Sequence, residues 1–205
     1  MKTIYIYLSG TIKKSHDKDN LSQWEFSHLS FMKELFAQRN YNVHFLNPAI
    51  RSDDLSDEFS LFGRDMLQTY LSSFVITDMR EKRGIGVGYE VAFANSKNIP
   101  VIIWAEKNSH YRPLKCEVVN QILFDWTHPF VSQTSKFIAN NLLEAVEFIT
   151  SYQLTSKKPI NKGDYVLPAM LHYLNSQLSQ DTEMYKLIEN SVVLKEQVSK
   201  ILDIK

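Results

Sequence analysis

Short apolar runs alternate with longer segments in which apolar residues recur at three- and four-residue spacing. Ile4-Tyr5-Ile6-Tyr7-Leu8-Ser9 is rich in β-branched and aromatic residues and stops at Gly10, which predicts a buried strand. Residues 13–20 are polar. Over residues 21–38, Trp24, Phe26, Leu29, Phe31, Met32, Leu35 and Phe36 form a broad helical stripe that Asn40 ends. Residues 41–46 read as a second strand, closed by Asn47-Pro48. A polar segment, residues 51–58, leads into a helix over residues 60–71. Ser73-Phe74-Val75-Ile76-Thr77 reads as a third strand ending at Asp78, and a charged loop runs from Met79 to Arg83. A glycine-rich stretch then opens a helix, and Pro100 to Trp104 reads as the fourth strand. Residues 122–126 are expected to form a fifth strand, and residues 135–151 a further helix.

Strands alternating with helices predict an α/β domain, with a doubly wound, mainly parallel five-stranded sheet of the flavodoxin-like or Rossmann-like kind. Ligands bind such sheets at the carboxyl ends of the strands. The loops there are Ser9-Gly10-Thr11, Asn47-Pro48, residues 78–86 and residues 105–115. After Ser151 the character changes. The expected organisation is a catalytic domain over residues 1–152, a polar linker over 153–164 and a helical hairpin over 165–205. In the hairpin, Leu187, Leu194, Val198 and Ile201 recur at helical spacing, as a packing or oligomerisation stripe does.

Composition narrows the function classes. Apolar residues make up 44% of the chain, and 23 Lys and Arg balance 23 Asp and Glu. That is the profile of a globular domain with no global footprint for nucleic acid. The single cysteine, Cys116, excludes an internal disulfide and a CxxC metal or redox site. The six histidines show no HxxxH or HxH spacing, so no metal site is expected. No stretch approaches the ~20 apolar residues of a membrane span, and the N-terminus lacks a signal-peptide pattern. A cytoplasmic protein is the expectation.

The chemistry concentrates in Gly84-Ile85-Gly86-Val87-Gly88-Tyr89-Glu90. This is not the dinucleotide fingerprint, which follows the first strand and spaces its glycines as G-x-G-x-x-G. The physics is related: glycines allow close approach to the backbone, and a helix N-terminus offers free N–H groups. Glu90, on the first turns of an otherwise apolar helix, has two readings. It is a helix-dipole residue, kept ionised by the N-terminus, or a carboxylate aimed at an electron-poor carbon such as an anomeric centre. Asp65, on the preceding helix, is a second acid with the same two readings. Glycosidic-bond chemistry uses a pair of carboxyl groups.

Four pieces occur in order: Tyr7-Leu8-Ser9-Gly10-Thr11-Ile12, Asp65, the third strand ending near Asp78, and Gly86-Val87-Gly88-Tyr89-Glu90. Together they resemble the nucleoside 2-deoxyribosyltransferase superfamily, and within it most the 2′-deoxynucleoside 5′-monophosphate N-glycosidases. The resemblance covers roughly residues 3 to 127. It implies that Glu90 attacks the anomeric carbon and forms a glycosyl-enzyme, that Asp65 assists at the base or sugar, and that Tyr7 orients the nucleophile. It implies a substrate-binding loop at Ser9, Gly10, Thr11 and Ile12, beneath the nucleobase; the glycine run itself, through Gly84, Gly86 and Gly88, lets a substrate approach the backbone closely. It also implies a homodimer or higher homo-oligomer acting on a small nucleotide or nucleoside without a cofactor.

The chain departs from the family at Gly84, where the transferases carry a sugar-binding Asp and the monophosphate hydrolases a phosphate-binding Ser. Arg80, Lys82 and Arg83 lie just upstream, and Lys115 falls near the position that reaches into a neighbouring subunit's site. These cations are either a solvated basic loop or, for Arg83 and Lys115, contacts to a 5′-phosphate. The expected activity is hydrolysis of the N-glycosidic bond of a (deoxy)nucleoside 5′-monophosphate. The alternatives are base exchange, cleavage of NAD, and a non-catalytic nucleotide sensor.

Overall fold

The computed structural model describes residues 1–12, 24–50, 56, 58–153 and 192–203, with single positions 175, 179, 185, 189 and 190. The chain divides into two compact units, Met1–Lys158 and Pro159–Lys205. The expected linker and the first helix of the expected hairpin fall outside the described residues, apart from isolated positions. In the second unit, α6 (Val192–Leu202) is the described helix.

The first unit is built on β1 (Lys2–Ser9), β2 (Tyr41–Leu46), β3 (Phe74–Asp78), β4 (Val101–Trp104) and β7 (Phe137–Ala139). They form one sheet in the order β2-β1-β3-β4-β7, and every pairing is parallel. The connecting helices are α1 (Phe26–Gln38), α2 (Glu58–Leu71), α3 (Ile85–Ser96) and α5 (Leu142–Ser151), with a short α4 (Pro129–Ser132). This is the doubly wound α/β fold that the alternation of runs predicts.

The period-2 alternation of the strands sorts their side chains between two faces. Ile4, Ile6 and Leu8 of β1, Phe74 and Ile76 of β3, and Ile102 and Trp104 of β4 form one core with Met32 and Phe36 of α1 and Val146 and Ile149 of α5. Tyr7, Val75, Val101 and Ile103 face the other way and pack with Val87, Val91 and Ala94 of α3. Both faces are covered, as a parallel sheet requires. The strand order reverses at β1, with β2 on one side and β3 on the other. A crevice at the carboxyl ends of β1 and β3 therefore follows from the topology.

Two element assignments are corrected. Residues 122–126 do not join the sheet: β6 (Gln121–Phe124) pairs antiparallel with β5 (Lys115–Val118) in a separate hairpin. Val119 and Asn120 make its two-residue turn, with φ of 48° and 62°. Positive φ at both positions matches the twist of a tight hairpin. The fifth strand is β7, inside the segment expected to be all helix. Asn141 stops strand-like backbone from continuing, because its side chain accepts a 2.9 Å hydrogen bond from the Glu144 N–H and caps α5. Phe137 of β7 stacks on Phe148 of α5 with ring centroids 4.7 Å apart, which returns the helix onto its own strand.

Candidate active site

α3 buries Val87, Glu90, Val91 and Ala94. That is the i, i+3, i+4, i+7 spacing of a core-facing stripe, so Glu90 occupies a position that packing alone would give to an apolar residue. It is 8% exposed. Its carboxyl is met by the end of β1. The Tyr7 hydroxyl donates to Oε1 at 2.9 Å, and the Ser9 hydroxyl donates to Oε2 at 2.5 Å. Tyr7 and Ser9 are two residues apart on a strand, hence on the same face, and both are fully buried.

The dipole reading of Glu90 needs correction. α3 begins at Ile85 with Gly84 as its N-cap, so Glu90 stands in the second turn, and the first turn holds no acid. The dipole effect fades within the first turn, and burial dominates instead. Burial pushes the Glu90 carboxyl from its ordinary 4.5 up to about 7, against the lowering effect of the Ser9 and Tyr7 hydrogen bonds, and the Asp65 charge adds to the rise. Tyr7 is pushed well above its ordinary value by burial first, then by the Glu90 and Asp65 charges. It therefore stays a neutral donor.

Asp65 sits in the middle of α2, which packs against α3 through an edge contact between Phe62 and Tyr89 at 5.4 Å. Its charge reaches both Glu90 and Tyr7, and Arg64 Nη1 lies 3.5 Å from its Oδ1. Thr69, one turn on, donates to the Asp65 carbonyl at 2.9 Å and lies against the Tyr7 hydroxyl. Three elements thus converge: β1, α2 and α3.

The Gly10 loop is fixed from above. Trp24 Nε1 donates to the Ser9 carbonyl at 3.1 Å. A Cβ built on Gly10 would lie 3.0 Å from that same nitrogen and 3.7 Å from Asp78 Cβ, so the loop admits only glycine without displacing the indole. Thr11 is half-buried and Ile12 exposed. Gly84, Gly86 and Gly88 face open space, since a Cβ at any of them meets nothing within 4 Å.

Arg83 is placed differently from its expected role. Its side chain is 3% exposed, and Nη2 lies 3.1 Å from Oδ1 of Asp78, itself 1% exposed. Its Nε donates to the Asp78 carbonyl, its Nη1 to Thr11 Oγ1 at 3.3 Å, and its backbone N–H to the Tyr111 hydroxyl at 2.9 Å. Arg80 binds the same carboxylate through Nε and Nη2, each at 3.0 Å, and lies over the Trp104 ring at 3.7 Å. The guanidinium of Arg83 is thus ion-paired with Asp78 and ties the end of β3 to the Gly10 loop, while its buried Nη2 makes no hydrogen bond among the described residues. Lys115 opens β5 on the hairpin, is exposed, and holds its Nζ over the Phe124 ring. It lies outside the contacts that gather Tyr7, Ser9 and Glu90.

Two residues were missed by the sequence reading. Asp78 has no role of its own in the sequence pattern, yet its carboxylate holds both Arg80 and Arg83. Thr77 pairs in register with Ser9, and its buried Oγ1 has no hydrogen-bond partner among the described residues. Among those residues no group of acids, histidines and cysteines could hold a metal, and no helix is long and apolar enough to cross a membrane.

No protein-family model matches the sequence, and no curated protein matches it. Among solved structures, the chain is similar to a 2-desoxiribosyltransferase from Leishmania mexicana, with 12% identity over 75% of this chain and 100% of that one and a TM-score of 0.52. It also aligns with a 2-deoxyribosyltransferase from the psychrotolerant bacterium Bacillus psychrosaccharolyticus, with 10% identity over 73% and 93% of the two chains and a TM-score of 0.44. The Leishmania likeness is one of fold. The five-stranded parallel sheet of this chain is the deoxyribosyltransferase fold.

Proposed function

We propose that the chain is an enzyme that cleaves the N-glycosidic bond of a (deoxy)nucleoside 5′-monophosphate by a double displacement through Glu90, with water as the final acceptor. The observation that carries this reading is a buried carboxyl on the core-facing stripe of α3, gripped at both oxygens by β1 hydroxyls and flanked by a second acid. Such a group has no packing role that an apolar residue would not fill better. A glycosidic bond needs what it offers: an oriented nucleophile beside a second carboxyl group.

In the first step a Glu90 oxygen attacks C1′ as the bond from C1′ to the base nitrogen breaks. The electron pair leaves with the base, which takes a proton from Asp65 in its acid form. In the second step water attacks C1′ and gives a proton to the Asp65 carboxylate left by the first step, and the pair in the C1′–O bond returns to Glu90 as carboxylate. Tyr7 keeps its proton throughout and orients Oε1. The reaction needs Glu90 ionised at the start, so its rate rises with pH through about 7.

The 5′-phosphate would meet the open N-terminus of α3, where Gly84 caps the helix without a side-chain hydrogen bond. Lys82 or Lys115 would add charge. The engagement of Arg83 with Asp78 removes one cation from that set and favours a second reading: a nucleoside substrate with a nucleobase as acceptor, that is, base exchange.

Liquid chromatography of released base separates these. Purified protein is incubated with deoxy- and ribonucleoside 5′-monophosphates, the matching nucleosides and NAD, with and without an added base, beside Glu90→Gln. Release from a monophosphate, absent from the nucleoside and lost in the variant, is the expected result. Release that requires an acceptor base makes the protein a transferase, and nicotinamide alone makes NAD the substrate. No release under any condition overturns the enzymatic reading and leaves a nucleotide sensor.

A further inference from the structure

We propose that Ser9 is a positioning residue that holds Oε2 of Glu90 in its charged form and thereby speeds the release of the carboxylate when the glycosyl-enzyme breaks down. The kinetic half of this inference rests on the function proposed above; the contact itself does not.

Three observations carry it. The Ser9 hydroxyl is fully buried and lies 2.5 Å from Oε2, while Tyr7 holds the other oxygen at 2.9 Å. The Ser9 backbone cannot drift, because its carbonyl accepts from Trp24 Nε1 at 3.1 Å and the following Gly10 is packed under that indole. Ser9 is also in register with Thr77 of β3, so it is hydrogen-bonded sheet on the side toward β3 as well as capped by the indole. The hydroxyl is thus presented to Glu90 by backbone that two other elements fix.

The two donors act unequally on the two steps. When Glu90 attacks C1′, its negative charge is partly lost, and hydrogen bonds to the carboxylate weaken. An interaction stronger in the ground state than in the transition state does not accelerate a step. When water attacks C1′ and the C1′–O bond breaks, the electron pair returns to the carboxyl and charge develops on it. A fixed donor is then stronger in the transition state than before it, as preorganised donors at a developing anion are. Ser9 therefore acts on the second displacement. It keeps its own proton in both. Among the described residues the groups that face Glu90 are Tyr7 and Ser9 from β1 and Asp65 from α2, and of these the two hydroxyls favour its anion.

The test uses the full-length chain and two variants, Ser9→Ala and Ser9→Thr. Carbon-13 NMR of the labelled Glu90 side-chain carboxyl needs no turnover. Its titration midpoint is expected to move up in Ser9→Ala and to return toward the parent in Ser9→Thr; an unchanged midpoint in Ser9→Ala overturns the contact. Rapid-quench mass spectrometry then follows turnover with a substrate found by the base-release screen. Loss of a hydrogen bond to a charged group is expected to slow breakdown of the glycosyl-enzyme by roughly tenfold to a hundredfold, so that Ser9→Ala accumulates the adduct and Ser9→Thr does not. Slowed formation with no accumulation overturns the assignment to the second step. If the parent protein turns over nothing, the proposed function and the kinetic role fall together, and the NMR titration still decides the contact.

Discussion

Replacing Glu90 by Gln is expected to stabilise the folded protein at neutral and alkaline pH, and the gain should have a defined pH dependence. The Glu90 carboxyl is raised from 4.5 to about 7 on folding, chiefly by burial. The folded state therefore binds this proton more tightly than the unfolded chain. Below about 4.5 both states hold the proton, and Glu90 contributes no pH-dependent penalty. Between about 4.5 and 7 the unfolded chain has released it and the folded protein has not, so stability falls as pH rises. Above about 7 both are ionised, and the loss is complete. At about 1.4 kcal/mol per decade of proton activity, the span amounts to about 3 kcal/mol. Gln cannot ionise and lacks this loss. Urea denaturation of parent and variant at half-unit steps from pH 4.5 to 8.5 measures it. The difference in unfolding free energy should grow in favour of Gln across the window and then level off. Two curves that stay parallel from pH 4.5 to 7 would refute the burial argument, whatever their offset.

Tyr7→Phe removes the donor to Oε1 and, because that hydrogen bond lowers the Glu90 carboxyl, should move the acidic limb of the kcat/KM–pH profile upward; an unmoved limb would show that the hydroxyl does not act through Glu90. Arg83→Ala leaves the buried Asp78 carboxylate with Arg80 as its remaining guanidinium partner and should destabilise the protein by about 1–3 kcal/mol, read as a lower urea midpoint. Gly10→Ala forces a Cβ to 3.0 Å from Trp24 Nε1, and the cost of about 1–3 kcal/mol expected for overpacking should appear with a change in tryptophan fluorescence. A variant with the parent's midpoint and emission would count against the indole's place over the loop.

The sheet was largely legible because its strands obey simple patterns. Ile6 to Leu8, Phe74 to Ile76 and Val101 to Ile103 are apolar on both faces, as strands covered on both sides must be. β7 was not legible. Three residues, Phe137 to Ala139, are too few for a period to register, and the helical spacing of α5 follows two residues later. The apolar Ile122 and Phe124 misled for the opposite reason: they have strand chemistry but stand exposed on a hairpin.

At the site, the stripe Val87, Val91, Ala94 already contains Glu90 at the core-facing step. Its burial could have been read from that spacing. The emphasis on the helix N-terminus obscured it, because the dipole argument depends on the turn in which the acid falls, and sequence places helix ends only to within a residue or two. The pairing of Arg83 with Asp78 was beyond any pattern. It depends on how a loop of irregular backbone folds back on the end of β3, and a cation five residues from an acid carries no such signal in a loop. Ser9 lay between these cases: its alternation with Tyr7 puts the two hydroxyls on one face, but only the packing of α3 against that face supplies the carboxyl between them.

The most direct test of the account is to quench the protein during turnover of its best nucleotide or nucleoside substrate and map the covalent adduct by peptide mass spectrometry. A sugar-derived mass increase on the peptide containing Glu90, at Glu90 itself and absent from Glu90→Gln, is the expected result. Turnover that persists in Glu90→Gln, with no adduct on that peptide, would contradict the claim that this buried carboxyl is the nucleophile.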